Sequence, residues 1–486
     1  SAGSLMPPKA SIVQPKKPPT ADGEDESRMV LHPFDGDGAV LGVTFRGDGT
    51  ATARFRYVRT NAFTNERRKG MRLYTGMDNT RQQTNDIGQS NDFPLPMYRH
   101  HFQSGLNKKR KNTSNTRIIY WSKKLLTLWE GGLPYKLDAL ALSTEGRSQL
   151  GGVLLESSPF GSKAVYDPKK ECILLYSNRQ ETGKSQLTLY EFNSKFRLVP
   201  EGGGQTENEL PGFAILSDFT ATSNYAIFVQ PPVSVNSMQY IMSKDPGKAV
   251  KVQNGAALLH MIPRVSSKIG GGMKTVSIPF DGISDSELQF CNAFEKDGGN
   301  TVVFDAIRSD GTNVSGKKLK WPWAQTVEEF ADTCSKKSLW RYTIDVKNGG
   351  SVSKECLSDL QTSFAVINPE FSMQPHKFIY TAIGGMSTDV APPQGIAKFD
   401  VSDDTANTNK DVDMWLPEEY EFCGEPMFAP RKTEGDSENK KEDDGYIISI
   451  LYNGKNKESE VIVFNAESIS SGPITRIPLG TSIPHG

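Results

Sequence analysis

Short stretches in which apolar and polar residues alternate, each closed by turn-forming residues, recur from one end of the chain to the other, and this recurrence restricts the chain to an all-β fold. Leu41, Val43 and Phe45 alternate with small or polar partners, Gly47-Asp48-Gly49 supplies a turn, and residues 53–58 run back. A period of two closed by a glycine-bearing turn is a β-hairpin. Residues 117–121 and 125–129 repeat it around Ser122-Lys123-Lys124, and the same texture returns at 185–192, 301–307, 340–346, 377–383, 395–401, 445–452 and 460–465. Helical periodicity is scarce. Strands spread over 486 residues are too many for a simple sandwich, so a propeller is expected. No WD or Kelch signature and no clean self-similarity at roughly 40–50 residues accompanies it.

Composition removes whole classes of function. With 36% apolar and 23% charged residues and a mean hydropathy of −0.48, the chain reads as globular rather than disordered, and no apolar run reaches the ~20 residues of a bilayer helix. Fifty-six Lys and Arg against 57 Asp and Glu give a net charge of −1, which offers no global field for nucleic acid. Cys172, Cys291, Cys334, Cys356 and Cys423 are odd in number and never form a C-x-x-C pair, so buried thiols are expected rather than disulfides or a zinc ribbon. Residues 1–28, rich in Pro, Lys, Asp and Glu, read as an extended or disordered arm, and 29–486 as the propeller. The first residues lack the basic and apolar regions of a signal peptide, so a targeting segment is either already removed or never existed. Residues 432–442 read as a charged, solvated insertion.

Local motifs stay close to their simplest readings. Asp35-Gly36-Asp37-Gly38 opens like a calcium loop but has Ala39 where an oxygen ligand belongs, so a tight turn is expected. Gly270-Gly271-Gly272-Met273-Lys274-Thr275 lacks the first glycine of a P-loop and reads as a hairpin tip. The basic run Lys108-Lys109-Arg110-Lys111 has no aromatic interleaving and reads as a solvated loop. Of the six histidines, His100 and His101 are adjacent, while His32, His260, His376 and His485 stand alone in sequence and read as structural or surface residues. No nucleophile elbow and no His-Glu-x-x-His occurs.

Longer segments carry a resemblance. Phe34-Asp35-Gly36-Asp37-Gly38 is followed by Arg56-Tyr57-Val58-Arg59-Thr60, then Asn112-Thr113-Ser114-Asn115-Thr116 and Leu128-Trp129-Glu130-Gly131-Gly132-Leu133-Pro134-Tyr135. Asn292-Ala293-Phe294-Glu295, Leu339-Trp340-Arg341-Tyr342-Thr343-Ile344-Asp345, Ile367-Asn368-Pro369, Glu425-Pro426-Met427-Phe428-Ala429-Pro430-Arg431 and Glu442-Asp443-Asp444-Gly445 come next. In this order they resemble the carotenoid cleavage oxygenase family, the group that includes the retinal pigment epithelium isomerase, from Phe34 to the C-terminus.

The resemblance implies a seven-bladed β-propeller under a dome of loops and short helices, with Fe(II) held on the axis by four histidines. Carried over position by position, the first ligand becomes Lys163, the second Ser217 and the third Gln289. The ending Ile483-Pro484-His485-Gly486 places the fourth ligand two residues beyond the last one, although a gapped alignment puts His485 on it. Glu130 and Glu425 match acids that orient ligand histidines, and Ser363 replaces the third. An ammonium must lose its proton before coordinating, and Ser and Gln oxygens are weak ligands for Fe(II). The chain is therefore expected to be a degenerate member with no iron cofactor, holding a carotenoid or xanthophyll or docking as a scaffold subunit of a photosynthetic assembly in a plastid, with peripheral membrane contact open to it. The alternative is an Fe(II) dioxygenase that cleaves a carotenoid or apocarotenoid. Lys163 is expected to offset Glu130 or Glu425. Both ends touch the blade that closes a propeller, which leaves open a trimmed product or a different closure.

Overall fold

The computed structural model describes residues 35–70, 73–74, 111–156, 158–181, 183–199, 204–216, 218–236, 238, 250–252, 257–267, 274–278, 288–309, 326–347, 350–385, 390–402, 412–431 and 441–483. The expected arm 1–28, His32, His100, His101, Ser217, His485 and most of the 432–442 insertion lie outside them. Of the glycine-rich expected hairpin tip only Lys274 and Thr275 are described, at the start of a strand.

The first hairpin pairs β1 (Ala39–Phe45) with β2 (Ala51–Tyr57). Its turn holds together because Asp48 Oδ1 accepts from Thr50 N at 2.9 Å and Gly49 takes φ 82°, a left-handed conformation that suits glycine. Helix α1 (Asn61–Lys69) follows. Thr60 Oγ1 caps it by accepting from Phe63 N at 3.1 Å, and Gly70, at φ 69°, ends it just after the basic last turn of Arg67, Arg68 and Lys69.

Six sheets then follow in chain order, all antiparallel, with each sheet's neighbouring strands following one another along the chain except at the start of the sixth. The first contains β3 (Arg117–Trp121), β4 (Lys124–Leu128), β5 (Tyr135–Leu137) and β6 (Thr144–Arg147), and the second β7 (Val165–Asp167), β8 (Cys172–Glu181), β9 (Lys184–Asn193) and β10 (Gln205–Pro211). The third has β11 (Phe219–Ala221) and β12 (Tyr225–Gln230); the small pair β13 (Val233–Val235) and β14 (Val250–Val252) interrupts it before β15 (Ala257–Pro263) and β16 (Lys274–Ile278). The fourth has β17 (Leu288–Lys296), β18 (Thr301–Ser309), then α2 (Val327–Thr333), β19 (Lys337–Asp345) and β20 (Ser351–Ser358). The fifth has β21 (Thr362–Val366), β22 (Phe378–Gly384), β23 (Pro393–Asp400) and β24 (Asp413–Trp415). The sixth has β25 (Glu421–Cys423), β26 (Met427–Pro430), β27 (Gly445–Asn453), β28 (Glu458–Asn465) and β29 (Thr475–Pro478), with β25 and β26 both paired to β27.

The core lies between the faces of neighbouring sheets rather than in one central mass. Leu126 and Leu128 of the first sheet pack with Leu175 and Phe192 of the second, and Leu174 and Leu189 of the second with Phe219 and Phe228 of the third. Ile227 and Leu259 meet Phe304 and Tyr342 of the fourth, Ile307 and Leu339 meet Ile379 and Ala397 of the fifth, and Tyr380 and Ile396 meet Ile447 and Phe464 of the sixth. Val40 and Val58 of the hairpin region seat against Tyr135 and Leu137 of the first sheet. Strands buried on both faces read as near-continuous apolar runs, as in Tyr225-Ala226-Ile227-Phe228, and successive blades stack around an axis. The fold is an all-β propeller with six blades among the described residues. No helix among these residues is long and apolar enough to cross a membrane.

Two expectations change. Lys111 is not solvated: its ammonium lies 2.8 Å from Asp37 Oδ1 and 2.8 Å from Glu66 Oε2, all three side chains being buried. This ion triad ties the Asp-Gly-Asp-Gly turn and α1 to the strand entering the first blade. The five cysteines are free thiols, but only Cys172 and Cys423 are buried; Cys291, Cys334 and Cys356 are half-buried.

Candidate functional site

In the second to fifth sheets the first strand is the inner edge, and these inner strands touch one another: β7 meets β11, β11 meets β17, and β17 meets β21. The residues at their starting ends therefore converge. Lys163 precedes β7, Asp218 precedes β11, Gln289 and Phe290 open β17, and Ser363 and Phe364 lie in β21.

An ion pair and a set of backbone contacts join them. Lys163 Nζ lies 3.0 Å from Asp218 Oδ1 and also donates to the Phe290 carbonyl at 3.4 Å. Asp218 Oδ2 accepts from Phe290 N at 2.9 Å, and Oδ1 from Phe219 N at 2.8 Å. Gln289 Oε1 accepts from Phe364 N at 3.3 Å, and Phe364 itself holds φ 59°, an uncommon conformation for an aromatic residue. Ser363 is half-buried, pairs with Ala382 and sits at an irregularity of the β21–β22 ladder. Both Asp218 oxygens face the Lys163 amine, whose side chain is 19% exposed, so the end of this side chain is engaged by a carboxylate.

Glu130 lies beside this cluster. Its Oε2 accepts from Thr116 Oγ1 at 3.0 Å, and its Oε1 accepts from Ser162 Oγ. Glu425 faces Arg117, with Nη2 to Oε1 at 4.0 Å. The expected neutralisation of Glu130 or Glu425 by Lys163 is thus corrected: the ammonium turns to Asp218, because hydroxyls already serve Glu130 and an arginine serves Glu425. Asp218 was missed as the functional partner, although it stands in the Ser217-Asp218-Phe219 segment that the sequence singles out. Tyr176 backs the cluster. Its phenol is pushed up by burial first, and further by Glu130 and Asp218, while its hydroxyl donates to the Leu216 carbonyl at 3.0 Å. The ring leaves no room beside the loop before Lys163, since a Cβ on Gly161 would lie 2.5 Å from it.

The described histidines serve elsewhere. His260 Nε2 is 2.8 Å from Gln230 Oε1 inside the third blade, and burial pushes its pKa down to about 4. His376 Nε2 is 3.0 Å from Asp305 Oδ2, and Nδ1 is 2.9 Å from Asn292 Nδ2. Among the described residues no group of three or more His, Cys, Asp and Glu is arranged to hold a metal ion. At the inner ends, the donors are an ion-paired ammonium and an amide oxygen that already accepts a hydrogen bond, so the described positions do not fit an iron held by four imidazoles. What the arrangement presents instead is a polar cluster in which an amine, a carboxylate and an amide are joined to one another and to the backbone at the inner ends of the strands.

Comparisons with known proteins agree on one group. Residues 15–486 match the family described as retinal pigment epithelial membrane protein. The apocarotenoid-15,15'-oxygenase of Synechocystis is 29% identical over 94% of this chain and 86% of its own. The isoeugenol monooxygenase of Pseudomonas putida is 23% identical over 93% and 87%, and the chloroplastic carotenoid cleavage dioxygenase 7 of rice, Oryza sativa subsp. japonica, is 24% identical over 92% and 80%. The crystal structure of cobalt-substituted Synechocystis apocarotenoid oxygenase superimposes with a TM-score of 0.77 at 27% identity, covering 94% of this chain and 88% of that one.

Proposed function

The chain belongs to the retinal pigment epithelial membrane protein family, the carotenoid oxygenases, and we propose that it binds a carotenoid or apocarotenoid polyene without the iron-dependent cleavage of its relatives. One observation carries this reading: the Lys163–Asp218 ion pair at the inner ends of the blades, where the family resemblance asks for imidazoles. A polyene is held by apolar walls and not by the metal, so affinity can outlive the iron site. The polar groups at the inner ends favour a ligand with an oxygen at one end, since a pure hydrocarbon would desolvate them and offer no hydrogen bond in return. In this reading Ser217 and His485 add no second pair of ligands, Glu130 and Glu425 are retained acids, and a seventh blade, to which the β1–β2 hairpin contributes, completes the ring.

The second reading, an Fe(II)-dependent dioxygenase cleaving a carotenoid or apocarotenoid, is favoured by the names of the relatives and by the 29% identity across nearly the whole chain. Anaerobic Fe(II) loading followed by metal analysis, together with titration by a hydrocarbon carotene, a xanthophyll and an apocarotenal, separates the two. Less than about a tenth of an iron per chain with a shifted xanthophyll or apocarotenal spectrum supports binding alone. Close to one iron per chain with oxygen-dependent bleaching to aldehydes establishes the dioxygenase. A plastid location draws support from the plant relatives named chloroplastic, although the Synechocystis and Pseudomonas relatives are bacterial.

A further inference from the structure

Away from the blade mouths, a cleft of about 680 Å³ opens between α1, the outer strand β2 and residues 142–144. Its floor is aromatic: Tyr57 and Phe63 stack with ring centroids 5.8 Å apart and an interplanar angle of 21°, and Phe55 meets Tyr57 edge-on at 5.8 Å. Three arginines, Arg56, Arg59 and Arg67, line it, and among the described residues no acidic residue does. The Arg67 guanidinium sits 5.3 Å from the Phe63 ring centre. None of the three makes an ion pair within 4 Å among the described residues. Asp37, whose acidity responds to Arg67, is already engaged by Lys111.

The walls are fixed before any ligand arrives. Arg59 N donates to Thr144 Oγ1 at 2.8 Å, Asn61 N to the Tyr135 hydroxyl at 3.0 Å, and Phe63 N to its cap Thr60. Exposed arginines with no acid beside them among the described residues, gathered around stacked rings in a cleft of ligand size, match an anion that carries a flat apolar body. Guanidinium forks pair with phosphate or carboxylate oxygens, and the rings take the apolar part.

We propose that this cleft binds a soluble organic oxyanion, a phosphate or carboxylate borne on an aromatic or similarly flat group. Calorimetric titration of the full chain with phenyl phosphate, benzoate, inorganic phosphate and benzyl alcohol tests it. Phenyl phosphate should bind roughly tenfold tighter than inorganic phosphate through ring stacking, and benzyl alcohol should not bind. Arg59→Gln and Arg67→Gln, both at exposed positions, should each weaken phenyl phosphate on the order of tenfold with unchanged melting temperatures. Phe63→Leu should keep inorganic phosphate and lose the preference for the ring; should that buried change unfold the protein, the arginine variants still decide. Equal binding of phenyl and inorganic phosphate, or arginine variants that bind like the parent, overturns the proposal. Binding to phosphatidylglycerol vesicles with none to phenyl phosphate overturns it as well.

Discussion

Lys163 Nζ lies 3.0 Å from Asp218 Oδ1, so a cation leading into the second blade and an acid leading into the third hold each other at the inner end of the ring. Both side chains are less than a fifth exposed, which limits how far water replaces a lost partner. Lys163→Met should cost about 1–3 kcal/mol in urea denaturation. The figure is moderate because Asp218 keeps its two backbone donors, Phe219 N and Phe290 N. Asp218→Asn should cost a similar amount, and the double variant less than the two singles together. Additive losses would show that the two groups do not depend on each other.

Asp37 is the acid whose titration shapes mild-acid stability around α1. Burial first, and Glu66 to a smaller extent, push its carboxyl up to about 6, against the pull of Lys111 and Arg67. A carboxyl raised above its unfolded value takes up a proton in the folded state first. Its contribution is therefore full below about pH 4 and lost as pH rises through about 6. Asp37→Asn removes that loss while Lys111 keeps Glu66 at 2.8 Å. Relative to the parent, this variant should gain on the order of 1–3 kcal/mol between pH 4 and pH 7. Denaturant midpoints at four pH values that stay parallel for the two proteins would refute it.

How much of this was visible in the sequence differs from residue to residue. The hairpins were legible because a period of two survives wherever one face is buried; the expected strands at 301–307 and 460–465 fall inside β18 and β28. Family motifs singled out Lys163, Gln289 and Glu130; Lys163 precedes β7 and Gln289 opens β17, whereas Glu130 lies between β4 and β5. Charge pairing was not legible. Lys111 reads as part of a solvated basic run because its partner Asp37 lies 74 residues away in sequence. Asp218 stayed hidden because the family motif bears on Ser217 one position earlier, and the direction of a side chain at a strand entrance depends on tertiary packing rather than on local pattern. The aromatic cleft was equally silent: Phe55, Tyr57 and Phe63 look like ordinary core residues until α1 folds against β2.

Arg264 joins the second and third blades through charge with no exposure to water. It holds Asp167 Oδ2 at 2.7 Å and Glu191 Oε2 at 3.0 Å, with the arginine and Glu191 side chains both 0% exposed. Arg264→Met would leave two buried carboxylates without their cation and should cost about 3–5 kcal/mol, read as a shift of the urea midpoint. Arg264→Lys keeps the charge but not the fork that reaches both acids, so it should fall between parent and Met. A Met variant as stable as the parent would show that the network is replaceable by packing alone.

His260 should dominate the acid side of the stability profile. It sits in β15 opposite Phe228, fully buried, with Nε2 2.8 Å from Gln230 Oε1. Burial alone pushes its pKa down to about 4, so between that value and the ordinary histidine value near 6.5 the unfolded chain binds a proton that the folded chain refuses. Stability from this group is full above about pH 6.5 and falls on acidification until about pH 4, by on the order of 3 kcal/mol. The sign is opposite to that of Asp37 in the same window. His260→Asn removes the titrating ring and retains a polar group that can reach Gln230, so it should flatten the acid-side loss, whereas Asp37→Asn should steepen it. Denaturation at pH 4.5, 5.5, 6.5 and 7.5 for the parent and both variants checks the pair. Identical slopes for His260→Asn and the parent would mean that the ring accepts its proton in place, and that the third blade opens to water there before it unfolds.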